Sequence, residues 1–227
     1  MKIIYTFVIL ILTTTVFANN TINYSDKEKI EKIKEAAASN PHLQNINYLI
    51  GIYYMAGDIK SNIKPDFKKA MKYFLKDSNN IANANYRIAE LYFYGYGTKK
   101  DFKKAIYYLE KAMDKKFVDY EAVRPIALVA IGRIYAKELK KPEKAIPYLL
   151  EAAQKYDKVE AQLALAFMFR RGEGVKENIN EANHWIQKAY FNKNADGNIK
   201  AYISNFVVAK GDFDIENDVK QYCGMLN

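Results

Sequence analysis

Cysteine occurs once and histidine twice among the 227 residues of this chain. The single thiol, Cys223, excludes an intramolecular disulfide, so packing must hold the fold. The histidines, His42 and His184, lie far apart in sequence and lack the spacing of a metal-ligand pair. A cysteine-histidine nucleophile would need one of them to fold back onto the end of the chain. His184 therefore reads as a partly exposed helix residue and Cys223 as a small buried filler. No strand-like alternation of useful length is present, which excludes a sheet and leaves an all-α chain. The two Gly-x-Gly stretches, Gly95 to Gly97 and Gly172 to Gly174, precede no Lys-Ser or Lys-Thr and follow no strand. They are turns and not phosphate loops. No catalytic residue, cofactor site or metal site is expected.

What the chain has is one helix pair written four times. The clearest copy runs Ala161, Ala164-Leu165-Ala166, Phe169, Gly172-Glu173-Gly174-Val175, Glu181-Ala182, Trp185 and Lys188-Ala189. A second carries Ile88-Ala89, Tyr92, Gly95-Tyr96-Gly97, Asp101, Lys104-Ala105, Tyr108 and Lys111-Ala112. The first has Ile50-Gly51, Tyr54, Gly57, Asp66, Lys69-Ala70 and Tyr73, and the third has Ile131-Gly132, Tyr135, Lys144-Ala145, Tyr148 and Ala152-Ala153. The alanines Ala70, Ala105, Ala145 and Ala182 recur at intervals of 35, 40 and 37 residues. That period belongs to helical solenoids, because a short helix pair cannot bury its apolar face alone and must stack on the next.

The recurring letters have mechanical roles. Each alanine lets two helices approach, and the aromatic three residues on (Tyr73, Tyr108, Tyr148, Trp185) shares its face. The glycine turns permit positive backbone angles, and Asp101 and Asn178 are placed to cap the helices that follow. Helices are expected at 26–38, opened by Ser25 or Asp26, then at 44–56, 66–77, 82–94, 101–114, 124–138, 142–155, 159–171 and 179–190. Segments 199–209 and 215–223 read as a degraded fifth pair closing the end. Residues 19–43 thus form an extension and capping helix, 44–190 four repeats, and 191–227 a degenerate repeat or cap.

Residues 1–18 read as a signal peptide. Lys2 precedes an apolar run from Ile3 to Leu12, and Val16-Phe17-Ala18 supplies compact residues before a cleavage point after Ala18. An uncleaved anchor is the alternative. No cysteine near Ala18 is available for a lipid, and no stable membrane insertion is expected after cleavage. Loss of residues 1–18 takes away Lys2 and no acid, so the formal charge falls from +9 to +8. Such basicity suits nucleic acid, an anionic membrane or an acidic protein. Export and the lack of arginine-aromatic interleaving argue against nucleic acid, and the dispersed lysines read as solvated faces. Localisation to the periplasm of a Gram-negative bacterium, or secretion, is the corresponding expectation.

Together these residues resemble the Sel1-like repeat family, relatives of the tetratricopeptide solenoids. The fourth copy carries nearly the whole family pattern, and the second substitutes Tyr108 for tryptophan. The first lengthens its loop through Ser61, Asn62 and Pro65. The third replaces the glycine turn with Lys137 to Pro142. The resemblance implies a right-handed α/α solenoid of about four repeats with helical caps, working as an adaptor and not an enzyme. It implies a protein partner held on the concave face that first helices form in such solenoids. Residues on those helices beyond the repeat's own needs are Tyr48, Tyr53, Tyr86, Arg87, Tyr94, Arg133, Phe167, Arg170 and Arg171, and tyrosine and arginine are suited to hot spots. Immunity to a periplasm-acting toxin with an acidic surface, a host-directed or envelope-assembly adaptor, and a hydrolase with an unrecognised site are the functional readings that remain.

Overall fold

The computed structural model describes residues 25–39, 45–57 and 64–208, with side chains through residue 204. The signal-peptide reading, His42, Cys223 and the expected helix at 215–223 lie outside the described residues. All regular structure among the described residues is helical. The chain divides into two compact units, residues 1–127 and 128–227.

The first unit opens with α1, Asp26–Ala38, where Ser25 and Glu28 form a reciprocal capping box. Two antiparallel pairs follow: α2 (Ile46–Ala56) with α3 (Phe67–Asp77), and α4 (Ala82–Tyr94) with α5 (Phe102–Ala112). Each helix packs chiefly on its neighbours in sequence, as expected where one pair's apolar face is covered by the next. Ala70 and Ala105 are wholly buried at the two seams. Beside them Tyr73 stacks on Tyr54 at 5.7 Å and Tyr108 stacks on Tyr92 at 5.7 Å. Lys69 and Lys104 lie over the same first-helix rings at 4.8 and 5.2 Å, which gives the lysine before both seam alanines of this unit a role: such contacts contribute about 0.5–1 kcal/mol at exposed sites. A methyl at Gly51 would sit 2.5 Å from the Phe74 ring. The glycine is therefore the space in which that ring packs.

The final helix of the first unit, α6 (Tyr120–Arg133), begins earlier than the expected 124 and contains the division between the units. Its last part, in the second unit, runs into a π-helical stretch, Ile134–Glu138. Then come α7 (Pro142–Gln154), α8 (Val159–Arg171), α9 (Ile179–Tyr190) and α10 (Gly197–Val208). Ala145 and Ala182 are wholly buried, and Tyr148 stacks on Tyr135 at 5.8 Å. Trp185 takes the aromatic place against Ala182 and is 3 % exposed. Asp66, Asp101 and Asn178 each accept a hydrogen bond from the backbone N–H three residues on, capping α3, α5 and α9.

One backbone bond closes every pair. The N–H of the residue before the second helix donates to the carbonyl of the first-helix aromatic: Asp66 to Tyr54, Asp101 to Tyr92, Lys141 to Tyr135 and Asn178 to Phe169, at 2.8–2.9 Å. In the third pair the connection is shorter and has no glycine. The chain makes the same closure by widening the helix to π geometry and placing Lys140 at φ 55°. Both features are local departures that the shared closure over-determines.

The second glycine of each Gly-x-Gly turn does more than relieve backbone strain. Gly97 lies at φ 68°, and a Cβ there would come within 2.6 Å of the Phe67 backbone; at Gly174, φ 74°, it would come within 2.5 Å of the Pro142 and Glu143 backbone. Each turn thus presses on the start of the preceding pair's second helix. Carboxylates and amides tie the other ends of the helices. Asp77 accepts from the Tyr48 N–H at 2.8 Å, and Asp119 accepts from the N–H groups of Ala82 and Asn83 at 2.8 and 2.9 Å. In the second unit buried Gln162 donates to Asp157 and accepts from Asn192, which also reaches the Asp157 carbonyl.

Three stability predictions follow from these contacts, each read by denaturant unfolding. Gly174→Ala should cost about 1–3 kcal/mol, combining strain at positive φ with backbone overlap, while Gly197→Ala, with nothing within 4 Å, should not destabilise. Ala182→Leu should cost about 1–3 kcal/mol by forcing the seam apart, whereas exposed Lys176→Ala should be near neutral; equal stability of both would place the interface elsewhere. Asp119→Ala should cost about 1–2 kcal/mol through loss of the α4 cap.

Candidate functional site

The first unit sorts the expected partner residues into internal and external ones. Tyr48 is a correction: it is 5 % exposed, packs 5.8 Å from the Phe74 ring and belongs to the core. Burial pushes its phenol above the usual tyrosine range, opposed by the Arg87 guanidinium. Tyr53 is also drawn inward. It is half-buried, and its hydroxyl donates to Asp26 at 3.2 Å, which fastens α1. Aligning the copies shows why: Tyr53 stands where Leu91 and Met168 stand, and both of those are buried.

Arg87 is half-buried between Tyr86 and Glu90. Its guanidinium lies 5.9 Å from the Tyr86 ring and pairs with the Glu90 carboxylate at 2.7 Å. Burial works against the charge, but Glu90 and Tyr48 outweigh it and hold the group above its ordinary value. It is thus a braced cation at all ordinary pH. Tyr94 stands apart on the α4 end, 49 % exposed.

In the second unit the structure brings three of the expected residues to one groove. Arg133 from α6, and Phe167 and Arg171 from α8, line a cavity of about 450 Å³ with Tyr202 of α10. Leu149, Leu163 and Met168 give it an apolar wall. Arg171 lies 5.7 Å from the Phe167 ring, and Tyr202 meets that ring edge-on at 6.4 Å. Arg171 also faces Glu173 at 3.4 Å, with both side chains largely exposed; such a pair is worth little and is readily exchanged for a partner's carboxylate. Lys137 and Glu160 complete the charged rim. Arg170 is half-buried and is not among the lining residues. Tyr202 and Lys137 were absent from the sequence expectation, since Tyr202 belongs to a segment read only as a closing cap. Its position in a first helix following the fourth pair was the available signal.

A second cavity of about 600 Å³ is bordered by Asp157, His184, Lys188, Phe191 and Asn192. Asn192 is already engaged by Gln162 and Asp157, and Lys188 lies over the Trp185 ring. Exposed His184 packs edge-on to Trp185 at 5.3 Å. Among the described residues no three His, Cys, Asp or Glu side chains are grouped to hold a metal ion.

The comparisons with known proteins agree with this construction. A model described as the Sel1 repeat matches residues 47–76, 82–116 and 159–190. An uncharacterized protein of Neisseria meningitidis serogroup B is 26 % identical over 165 residues, covering 72 % of this chain and 32 % of that protein. The chain thus spans about a third of the length of that relative. Among solved structures, a Sel1 repeat protein from Oxalobacter formigenes has a TM-score of 0.58 at 21 % identity, covering 80 % of this chain and 78 % of its own. A protective antigen present in uropathogenic Escherichia coli strains, displaying an SLR fold, has a TM-score of 0.60 at 20 % identity, covering 80 % of this chain and 36 % of that one. Sel1 repeats commonly mediate protein–protein interaction and are generally non-catalytic scaffolds. With the repeat matched three times and its helix pairs, alanine seams and glycine turns in place, the chain is a helical solenoid that carries Sel1 repeats.

Proposed function

We propose that the protein is a non-catalytic scaffold that engages a partner protein through first-helix faces, with the groove of Arg133, Phe167, Arg171 and Tyr202 as its anchor. The observation that carries this reading is the convergence of two arginines and two aromatic rings on one apolar-walled groove. Arginine and large aromatics in a desolvated pocket are the residue types that dominate interface energies. Three cations, Arg133, Lys137 and Arg171, face two acids, Glu160 and Glu173, on the lining; this balance favours a partner that brings carboxylates, and charge complementarity would speed its capture.

The proposed setting is export to the periplasm or beyond, supported by the signal-like pattern of residues 1–18. Within it, immunity to a periplasm-acting toxin with an acidic surface is the most concrete role, supported by the net charge of +9. A host-directed or envelope-assembly adaptor is the second reading. A toxin gene adjoining this one would favour immunity over the adaptor.

The groove reading is tested by affinity capture with the parent chain and with an Arg133→Ala/Phe167→Ala/Arg171→Ala variant. The variant should lose the captured partner at least tenfold, as expected for central aromatic and arginine anchors worth roughly 2 kcal/mol or more each, with helicity retained. Undiminished capture by the folded variant would contradict the assignment.

A further inference from the structure

The turn joining α4 to α5 carries a surface that the repeat does not require. Tyr96 at its tip stacks on Phe67 at 4.7 Å and on Tyr94 at 5.2 Å. Phe93 meets Tyr94 edge-on at 4.8 Å and lies 5.6 Å from Phe102. Tyr94 and Tyr96 remain 49 % and 45 % exposed at the centre of this ladder. Close packing of Gly97 on Lys68 and of Gly95 on Lys100 brings two lysines to its edge. Lys68, Lys99, Lys100 and Lys103 are all exposed, and the Lys100 ammonium lies 5.8 Å from the Phe102 ring. The neighbouring carboxylates, Asp66 and Asp101, are engaged as helix caps.

The matching turn of the second unit acts as an internal control. Gly172 and Gly174 hold the same positive angles, and Gly174 makes the same close approach. Yet Arg171 and Glu173 stand in place of Tyr94 and Tyr96, Pro142 in place of Phe67, and Glu177 in place of Lys100. A charged turn satisfies the fold equally well. The aromatic ladder therefore reflects something outside the repeat.

We propose that this aromatic-lysine edge adsorbs to the surface of an anionic lipid bilayer. Half-exposed tyrosines such as Tyr94 and Tyr96 suit the headgroup layer, where one end of the side chain is apolar and the other wet. Every cation around the ladder is lysine. Protein interfaces deplete lysine and favour arginine, as the groove of the second unit does, whereas lysines near an anionic leaflet act through long-range attraction without a set geometry. No helix among the described residues is long and apolar enough to cross a membrane, so the contact is peripheral. This inference stands independently of the groove.

The test is cosedimentation of the full chain, and of residues 19–227 beside it, with phosphatidylcholine vesicles containing or lacking phosphatidylglycerol. Adsorption through the apolar residues 3–12 would appear on neutral vesicles and in the longer chain alone. Both forms should bind the phosphatidylglycerol vesicles, more weakly at high salt. Lys99→Glu/Lys100→Glu should weaken this about tenfold or more, Tyr94→Ser/Tyr96→Ser should weaken it at all salt concentrations, and the second-unit control Lys176→Glu/Lys193→Glu, which removes the same charge from exposed lysines, should weaken it far less. Melting curves identify any variant that fails to fold, in which case the lysine pair alone decides. Failure of residues 19–227 to bind anionic vesicles, or equal loss in the second-unit control, overturns the proposal. Binding of polyglutamate without binding of vesicles overturns it in favour of an acidic protein partner.

Discussion

How closely the second helix of each pair can approach the first determines everything built on it. Ala70, Ala105, Ala145 and Ala182 have no exposed surface, and a side chain larger than a methyl at any of them would separate the helices. The approach is fixed at one end by the N–H that closes each turn onto the aromatic carbonyl, and within the first unit and the fourth pair it is fixed at the other by carboxylates and amides that are buried or half-buried. Between those points the rings of Tyr54 with Tyr73, Tyr92 with Tyr108, and Tyr135 with Tyr148 fill the space beside the alanine. A small residue at the contact and a large one beside it let the short helices of each unit bury a core without a disulfide.

The same seams position the surfaces that contact other molecules. With the helix pairs set, the outward positions of α6, α8 and α10 gather Arg133, Phe167, Arg171 and Tyr202 around one groove. The turns between helices are held by their backbones, so their side chains are free to vary. One such turn carries Tyr94 and Tyr96, and another carries Arg171 and Glu173. Function in this architecture is written on positions that the repeat leaves unconstrained, which is why the fold supports binding surfaces of different chemistry.

The helix pairs and their seams were legible in the sequence because the constraint recurs: an alanine, an aromatic three residues on and a capping residue ahead repeat in order. Asp101 and Asn178 cap as their spacing implied. Long-range polar ties were not legible. Asp119 reaches Ala82 across 37 residues and Asn192 reaches Gln162 across 30, and no local pattern announces such a bond. Surface assignment fared least well, because a tyrosine's letter does not say which way it points. Tyr48 and Tyr53 share a helix but serve the core and α1, while Tyr202 entered the groove from a segment whose repeat pattern is degraded. The π-helical stretch at 134–138 also left no trace in the pattern, since it arises from a turn that is too short for an α-helical exit.

That short turn offers the sharpest test of a shared closure. If the bond from the second helix's leading N–H to the first-helix aromatic carbonyl is what defines a pair, it must persist where the glycine turn has been lost. Amide hydrogen exchange followed by NMR reads it directly. The Lys141 amide should be protected to a degree comparable with those of Asp101 and Asn178. Exchange of the Lys141 amide at the rate of an open loop, with Asp101 and Asn178 protected, would contradict the account.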